Sequence, residues 1–214
     1  DVYVESVVNE KVTAEVAEAS QTIIENSIEP DVIPEPLIDF TPSLALVAAD
    51  TSGSQLVWGR FSESSAAESL FAVDFETARD NREVTVSSPS GALLYRSEPN
   101  GARVDRNLSV VRFDLSAAQA FYDSASGVVA MRVGGGDLEL NFIDRAFATT
   151  LNLDHVATGE IDFVASGDIA DGGYLRLRTD MQRVSGAVAT DGSEASYYFK
   201  QILDSGSING FTLW

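Results

Sequence analysis

The chain contains no cysteine and a single histidine, His155. Without cysteine it can form no disulfide, zinc–thiolate site or cysteine nucleophile. One imidazole cannot supply two ligands to a transition metal. A Ser-His-Asp triad would have to use His155, yet the sequence has no Gly-x-Ser-x-Gly motif to provide the serine. We therefore expect no catalysis that depends on thiolate or imidazole.

Basic residues are also scarce. Fourteen Lys and Arg face 33 Asp and Glu, which gives a formal net charge of −19 and an isoelectric point near 4.2. Nucleic acids and anionic membrane surfaces would repel such a chain, so we expect neither as a partner. The same acidity favours solubility, permits cation binding and is typical of salt-adapted or secreted proteins.

Long apolar runs are missing too, since none reaches the ~18 residues of a membrane-spanning helix. We therefore expect no membrane span. The first residue is Asp1 rather than methionine, which fits removal of a signal peptide and fits other trimming equally well.

The many acidic residues raise two further kinds of chemistry. A glycosidase needs two carboxylates facing each other across a cleft, but most acids here alternate along strands as solvated side chains, so we predict no enzyme and no catalytic residues. The segment 168–173 offers two carboxylates and two glycines to calcium, without the ligand spacing of an EF-hand. We predict a hairpin turn there and no cofactor, with calcium as the weaker alternative.

The charge is concentrated at the N-terminus. Residues 1–50 contain eleven acids and one base, Lys11. Four prolines lie within residues 30–42. The first part alternates like a strand at residues 1–5, while Val8, Val12 and Val16 have helical spacing. Proline removes backbone donors and stiffens the chain. We predict an acidic arm over residues 1–53, extended or partly helical, followed by a β domain over 54–214.

The β domain is predicted from two-residue alternation of apolar and polar side chains, most clearly in residues 137–142. Strands are also expected at 55–61, 84–86 and 93–95, and helix at 63–71. Turn residues separate the later runs at near-regular spacing, at 134–136, 159, 171–173, 191–192 and 205–206. In this reading Gly134–Gly136 is a turn rather than a phosphate-binding loop, because no helix follows it.

This pattern predicts an all-β fold, an antiparallel up-and-down β-barrel or barrel-like sandwich. Pairing of the first strand with the last would bring Trp58 close to Trp214 and close the barrel.

The last 88 residues carry a more specific set of elements, which are Gly135–Phe142, Arg145–Leu151, Val184–Val188, Asp191–Phe199 and Ile208–Trp214. With these elements the segment resembles the C-terminal β-barrel domain of Gram-negative exported proteins, some of which carry a FecR-type domain. That domain is in turn similar to the small β-barrel of transferrin-binding protein B. The resemblance implies a barrel fold and a location in the cell envelope, and it implies no catalytic residue.

We therefore expect an exported, non-catalytic protein of the cell surface, extracellular space or periplasm that acts through protein–protein contact. Residues 1–50 would dock along a barrel edge, of this or a neighbouring copy, in structural self-assembly. The alternatives are a barrel that binds a small ligand, host molecule or nutrient at its mouth, and less readily a carbohydrate-active enzyme with two facing acids.

Overall fold

The computed structural model describes residues 53–60, 72–98, 104 and 109–214. The predicted arm up to residue 52 and the predicted helix at 63–71 lie outside these residues. In the part of the chain that is described, no helix is long and apolar enough to cross a membrane.

Strands dominate this part of the chain. The single short helix, α1 (Phe75–Arg79), begins where Asp74 accepts a hydrogen bond from the Thr77 amide at 2.9 Å. The strands are β1 (Leu56–Arg60), β2 (Glu83–Ser87), β3 (Ala92–Arg96), β4 (Val110–Asp114), β5 (Ala117–Ser124), β6 (Gly127–Asn141), β7 (Ala146–His155), β8 (Gly159–Ala170), β9 (Tyr174–Arg178), β10 (Gln182–Val188), β11 (Ala195–Leu203) and β12 (Gly206–Leu213).

The strands form two antiparallel sheets. The large sheet has the order β4-β6-β5-β12-β11-β10-β9-β8-β7, and β6 also pairs with β7, so that β5 to β12 close a ring. Each strand of that ring pairs with its neighbour in sequence, which is the up-and-down arrangement. The all-β, antiparallel barrel predicted from alternation is thus confirmed. The small sheet has the order β1-β3-β2.

The ring is closed by different residues from those predicted. β12 pairs with β5 from Leu213 opposite Ala117 to Ser207 opposite Asp123. Trp58 lies in β1, which pairs with β3 in the small sheet, so the prediction that its strand closes the barrel beside Trp214 is wrong. Trp214 belongs to the barrel interior, whereas Trp58 packs on the outside of the wall, because apolar Tyr198 and Phe211 face outwards there and are covered by β1.

The triple glycine is not a turn, and that prediction is also wrong. β6 runs without interruption through Gly134–Gly136, with a register shift against β7 between Val133 and Gly135. A Cβ on Gly136 would lie 2.3 Å from the Thr150 carbonyl oxygen, so only glycine allows β7 this close. Such a bulge bends a strand and increases its twist, which suits the curvature of a closed barrel.

The barrel interior is filled by side chains. The inward-facing residues of its strands form one buried cluster whose largest members are aromatic, and these are Tyr122, Phe147, Phe163, Tyr197, Phe199 and Trp214. A barrel of eight strands can be filled by its own side chains, and the large aromatic residues of this cluster fill it here. The polar group of Tyr197 is satisfied inside, where its hydroxyl lies 2.7 Å from the Thr149 hydroxyl.

Candidate functional site

The outer wall of the barrel has two different halves. On β5, β10, β11 and β12, which we call the covered wall, outward-facing Ala187, Tyr198 and Phe211 are buried under β1 and β3 of the small sheet. On β4, β6, β7 and β8, the bare wall, outward-facing side chains remain exposed, and Val164 keeps 57% of its surface. Surfaces available for recognition are therefore found on the bare wall.

The most distinctive feature of the bare wall is the free edge of β8. β8 pairs with β7 from Gly159 to Asp168, but it pairs with β9 only from Asp168 to Ala170. The described strands therefore leave residues 159–166 without a partner on that side. We call this stretch the β8 edge.

The β8 edge exists because its neighbour is short. β9 ends at Arg178, and the turn that follows is fixed by the Thr179 amide, which donates to the Gln182 carbonyl at 2.9 Å. β10 then leads away to pair with β11, starting with Gln182 opposite Gln201. The β9–β10 hairpin consequently covers only the last residues of β8.

The polar backbone groups of the edge can be assigned to individual residues. The Val164 carbonyl accepts a hydrogen bond from the Gln182 side chain at 3.0 Å, on the side away from β7. The Ile169 amide donates to the Arg145 carbonyl, on the β7 side. Since both backbone groups of a residue point the same way in an antiparallel ladder, Glu160, Asp162 and Val164 direct theirs to the free side.

The side chains along the β8 edge are acidic. Glu160 lies opposite Asp154 of β7, and Asp162 lies opposite Asn152, whose amide donates to it at 2.9 Å. Arg132 of β6 lies on the other side of Asp154. These residues surround a small concavity of about 220 Å³. Across the described residues there is no group of three or more His, Cys, Asp or Glu arranged to hold a metal ion.

A second free edge belongs to β4. β4 pairs with β6 from Val110 to Asp114, but β12 begins to pair further along, at Ala117. Within the described ranges no strand lies on the other side of β4. Its exposed side chains are mixed in character, because Val110 stands beside Arg112, which forms a 2.7 Å ion pair with Glu139. We call residues 110–114 the β4 edge.

A cavity of about 740 Å³ lies between the two edges. Its lining consists of three consecutive residues from each strand of the bare wall with Leu177 and Gln182, and these are residues 112–114, 137–139, 148–150 and 164–166. Leu138, Thr149 and Ala165 are at most 4% exposed, so the accessible lining is the outward face. The lining combines charged side chains with apolar ones such as Val164, and Phe113 is its aromatic member, so it is less aromatic than the ligand pocket expected at the barrel mouth.

The residues weighed from the sequence lie apart from these edges or are already paired. His155 ends β7, where its Nδ1 accepts a hydrogen bond from the Ala157 amide at 3.1 Å. The segment 168–173 contains the turn predicted there, with Gly172 and Gly173 at φ 86° and 77°. Both of its carboxylates lie beside arginines: Asp171 forms a 2.6 Å ion pair with Arg145, and Asp168 lies opposite Arg176.

Sequence reasoning did not find the two edges. The available signal was length, because the alternation of β8 continues over 159–170 while the next run ends after Tyr174–Arg178. A long strand followed by a short one must leave part of its edge without that neighbour. No protein-family model, curated protein or solved structure matches this chain.

Proposed function

We propose that this protein is a non-catalytic, exported barrel of the cell surface, extracellular space or periplasm that acts through protein–protein contact. Its acidic arm, residues 1–53, adds as a strand to the β4 edge of the same or a neighbouring copy, so that copies assemble. The observation that carries the proposal is the side of β4 on which no described strand pairs, because unpaired amide and carbonyl groups are a ready template for another strand.

Charge decides between the two edges as the place for the arm. Residues 1–50 carry eleven acids and one base, so they are repelled by Glu160 and Asp162 on the β8 edge. The β4 edge repels the arm less, because its exposed residues Val110, Arg112 and Asp114 carry no net charge together. The alternating residues Asp1–Glu5 have the pattern that an added strand needs.

The location outside the cytoplasm rests on other grounds. The resemblance to C-terminal barrel domains of Gram-negative exported proteins implies an envelope location, and the barrel fold is compatible with it. A net charge of −19 keeps such a domain soluble. Fractionation of the natural source with an antibody to the barrel tests this part, and a cytoplasmic signal would contradict it.

The assembly role is tested by removing residues 1–40 and measuring molar mass by light scattering. We expect the full chain to form a larger species than the truncated chain, with both showing the same strand content by circular dichroism. A sharper pair is Val4→Pro, which removes a strand donor, and Val4→Thr, which keeps strand propensity. An unchanged number of chains per particle after truncation would overturn the proposed role of the arm.

A second candidate function is the binding of a small molecule in the cavity of about 740 Å³, a volume within the range of known ligand pockets. Ligand binding ranks below assembly because the barrel interior is filled and the cavity is open on the outer wall. A thermal-shift screen of polar and apolar small compounds tests it. A compound that stabilises the protein but not the variant Thr150→Trp, whose side chain fills the floor, would favour ligand binding.

A further inference from the structure

The β8 edge is suited to a binding partner other than the acidic arm. Its backbone groups at Glu160, Asp162 and Val164 point to the free side, and only the Val164 carbonyl is satisfied there among the described contacts, by Gln182. The side chains of these same residues are exposed on the outward face. An incoming strand would therefore meet backbone and side chains together, as in recognition by strand addition.

The charge pattern across the strands specifies what this strand must carry. Along one row of paired residues, Arg132, Asp154 and Glu160 follow each other on β6, β7 and β8. Like charges directly opposite each other are unfavourable, so Asp154 beside Glu160 leaves an excess of negative charge next to the free edge. A cationic side chain on the free side of Glu160 would offset it.

The neighbouring rows extend the pattern. The Asp162 carboxylate accepts a hydrogen bond from Asn152 on the β7 side. Its free side has no such donor among the described contacts, so a second basic residue fits there. Val164 is 57% exposed, and an apolar side chain opposite it would bury that surface. The edge thus selects alternating basic, basic and apolar residues on one face of an extended segment.

Neither a second copy of β8 nor the arm has the sequence that such a strand needs. Two copies of β8 paired antiparallel about Asp162 would place the two Asp162 carboxylates opposite each other, between molecules that each carry −19. The arm offers one base, Lys11. We therefore propose that the β8 edge docks an extended basic segment of a different protein, which adds as a strand with its Lys or Arg residues facing Glu160 and Asp162.

The test uses the full chain and a synthetic peptide of sequence Thr-Lys-Thr-Lys-Thr-Val-Thr with blocked ends, titrated by calorimetry and by amide NMR. We expect binding that slows hydrogen exchange at the amides of Asp162 and Val164. The variant Asp162→Lys should weaken it at least tenfold. Asp137→Lys is the matched control, because it changes the net charge equally on the same wall but away from the edge.

A backbone variant separates strand addition from charge attraction. Val164→Pro removes the amide on the free side and leaves the pairing with β7 intact, so it should weaken the peptide at least tenfold in a barrel whose circular dichroism is unchanged. Equal losses in Asp162→Lys and Asp137→Lys, or no binding to the native chain, would overturn the proposal. The proposal would also be overturned if the native chain forms homodimers and the variant Val164→Pro is monomeric, because the edge would then bind a second copy.

The outcome is distinguishable from failure of the arm proposal. If removal of residues 1–40 raises peptide affinity, the arm occupies the β8 edge and both assignments are wrong. If truncation lowers the number of chains per particle but leaves peptide binding unchanged, each edge has its own occupant. If truncation changes neither while the peptide binds as expected, only the arm proposal fails.

Discussion

The covered and bare walls of the barrel belong to one continuous sheet but bury their strands differently. On the covered wall, β11 is buried on both faces over five consecutive residues, Ala195–Phe199. On the bare wall, β7 and β8 alternate between buried and exposed positions. A strand buried on both faces needs a layer on each side, so its uninterrupted apolar run indicates a second sheet.

The covered wall is held by specific contacts as well as by burial. The Trp58 indole donates to the Ser196 hydroxyl at 2.8 Å, and its ring lies 4.7 Å from that of Phe211. Arg96, only 3% exposed, donates to the carbonyls of Gly172 and Val188 at 2.7 and 3.1 Å. Among the described residues, the outward-facing side chains of the bare wall pair only at the surface, so substitutions of outward-facing residues should cost far more on the covered wall.

The largest effect is expected for Trp58→Ala. The change removes a buried ring and leaves the Ser196 hydroxyl without its donor, which should lower the free energy of unfolding by about 3–5 kcal/mol. Urea denaturation measures it. On the bare wall, Val164→Ala should change stability by no more than about 0.5 kcal/mol. Equal losses would mean that the two walls do not differ.

Two glycines sharpen the comparison. A Cβ on Gly186 of β10 would lie 2.2 Å from the Ser196 carbonyl oxygen, so Gly186→Ala should cost about 1–3 kcal/mol or more. A Cβ on Gly134 of β6 would find no atom closer than 3.8 Å, so Gly134→Ala should be neutral or slightly stabilising. Thermal unfolding of both variants checks this, and a loss at Gly134 would show that its bulge is sensitive to side chains.

Alkaline pH should weaken the protein through its buried tyrosines. Burial raises the pKa of Tyr198 to about 12, and burial also raises the pKa of Tyr197. Unfolded tyrosines ionise near pH 10, so the stabilisation is complete below about pH 10 and is lost as the pH rises towards 12. Urea midpoints between pH 8 and 11.5 measure the decline. In Tyr198→Phe the decline should be shallower, and an identical slope would exclude Tyr198 as its source.

The smallest effect is expected for the Arg112–Glu139 ion pair of the bare wall. The Arg112 side chain is 77% exposed, so Arg112→Ala should change the free energy of unfolding by less than about 1 kcal/mol. Adding 0.5 M salt should remove most of the difference, because exposed pairs are screened. A loss of unfolding free energy as large as that of Trp58→Ala would contradict the conclusion that outward-facing contacts stabilise the covered wall more than the bare wall.

Local pattern and tertiary pairing contributed differently to what could be predicted. The strands at residues 55–61, 84–86 and 93–95 and the turn at 171–173 were correctly predicted, because alternation and Asp-Gly chemistry act over a few residues. The triple glycine was misread, because glycine serves a turn and a close strand approach equally well. Only the Thr150 carbonyl, brought beside Gly136 by β7, distinguishes the two.

The sequence by itself determined an acidic, cysteine-free chain whose two-residue periodicity requires a sheet with one dry face. Only the tertiary structure decided that β5 rather than the strand of Trp58 meets β12, and that β8 extends beyond β9. Strands of similar pattern can pair in many orders, and closure of the ring selects one order through the combined stagger of all the strands. The free edges are a product of that stagger, so the unequal lengths of β8 and β9 predict that an edge remains but do not place it on the barrel.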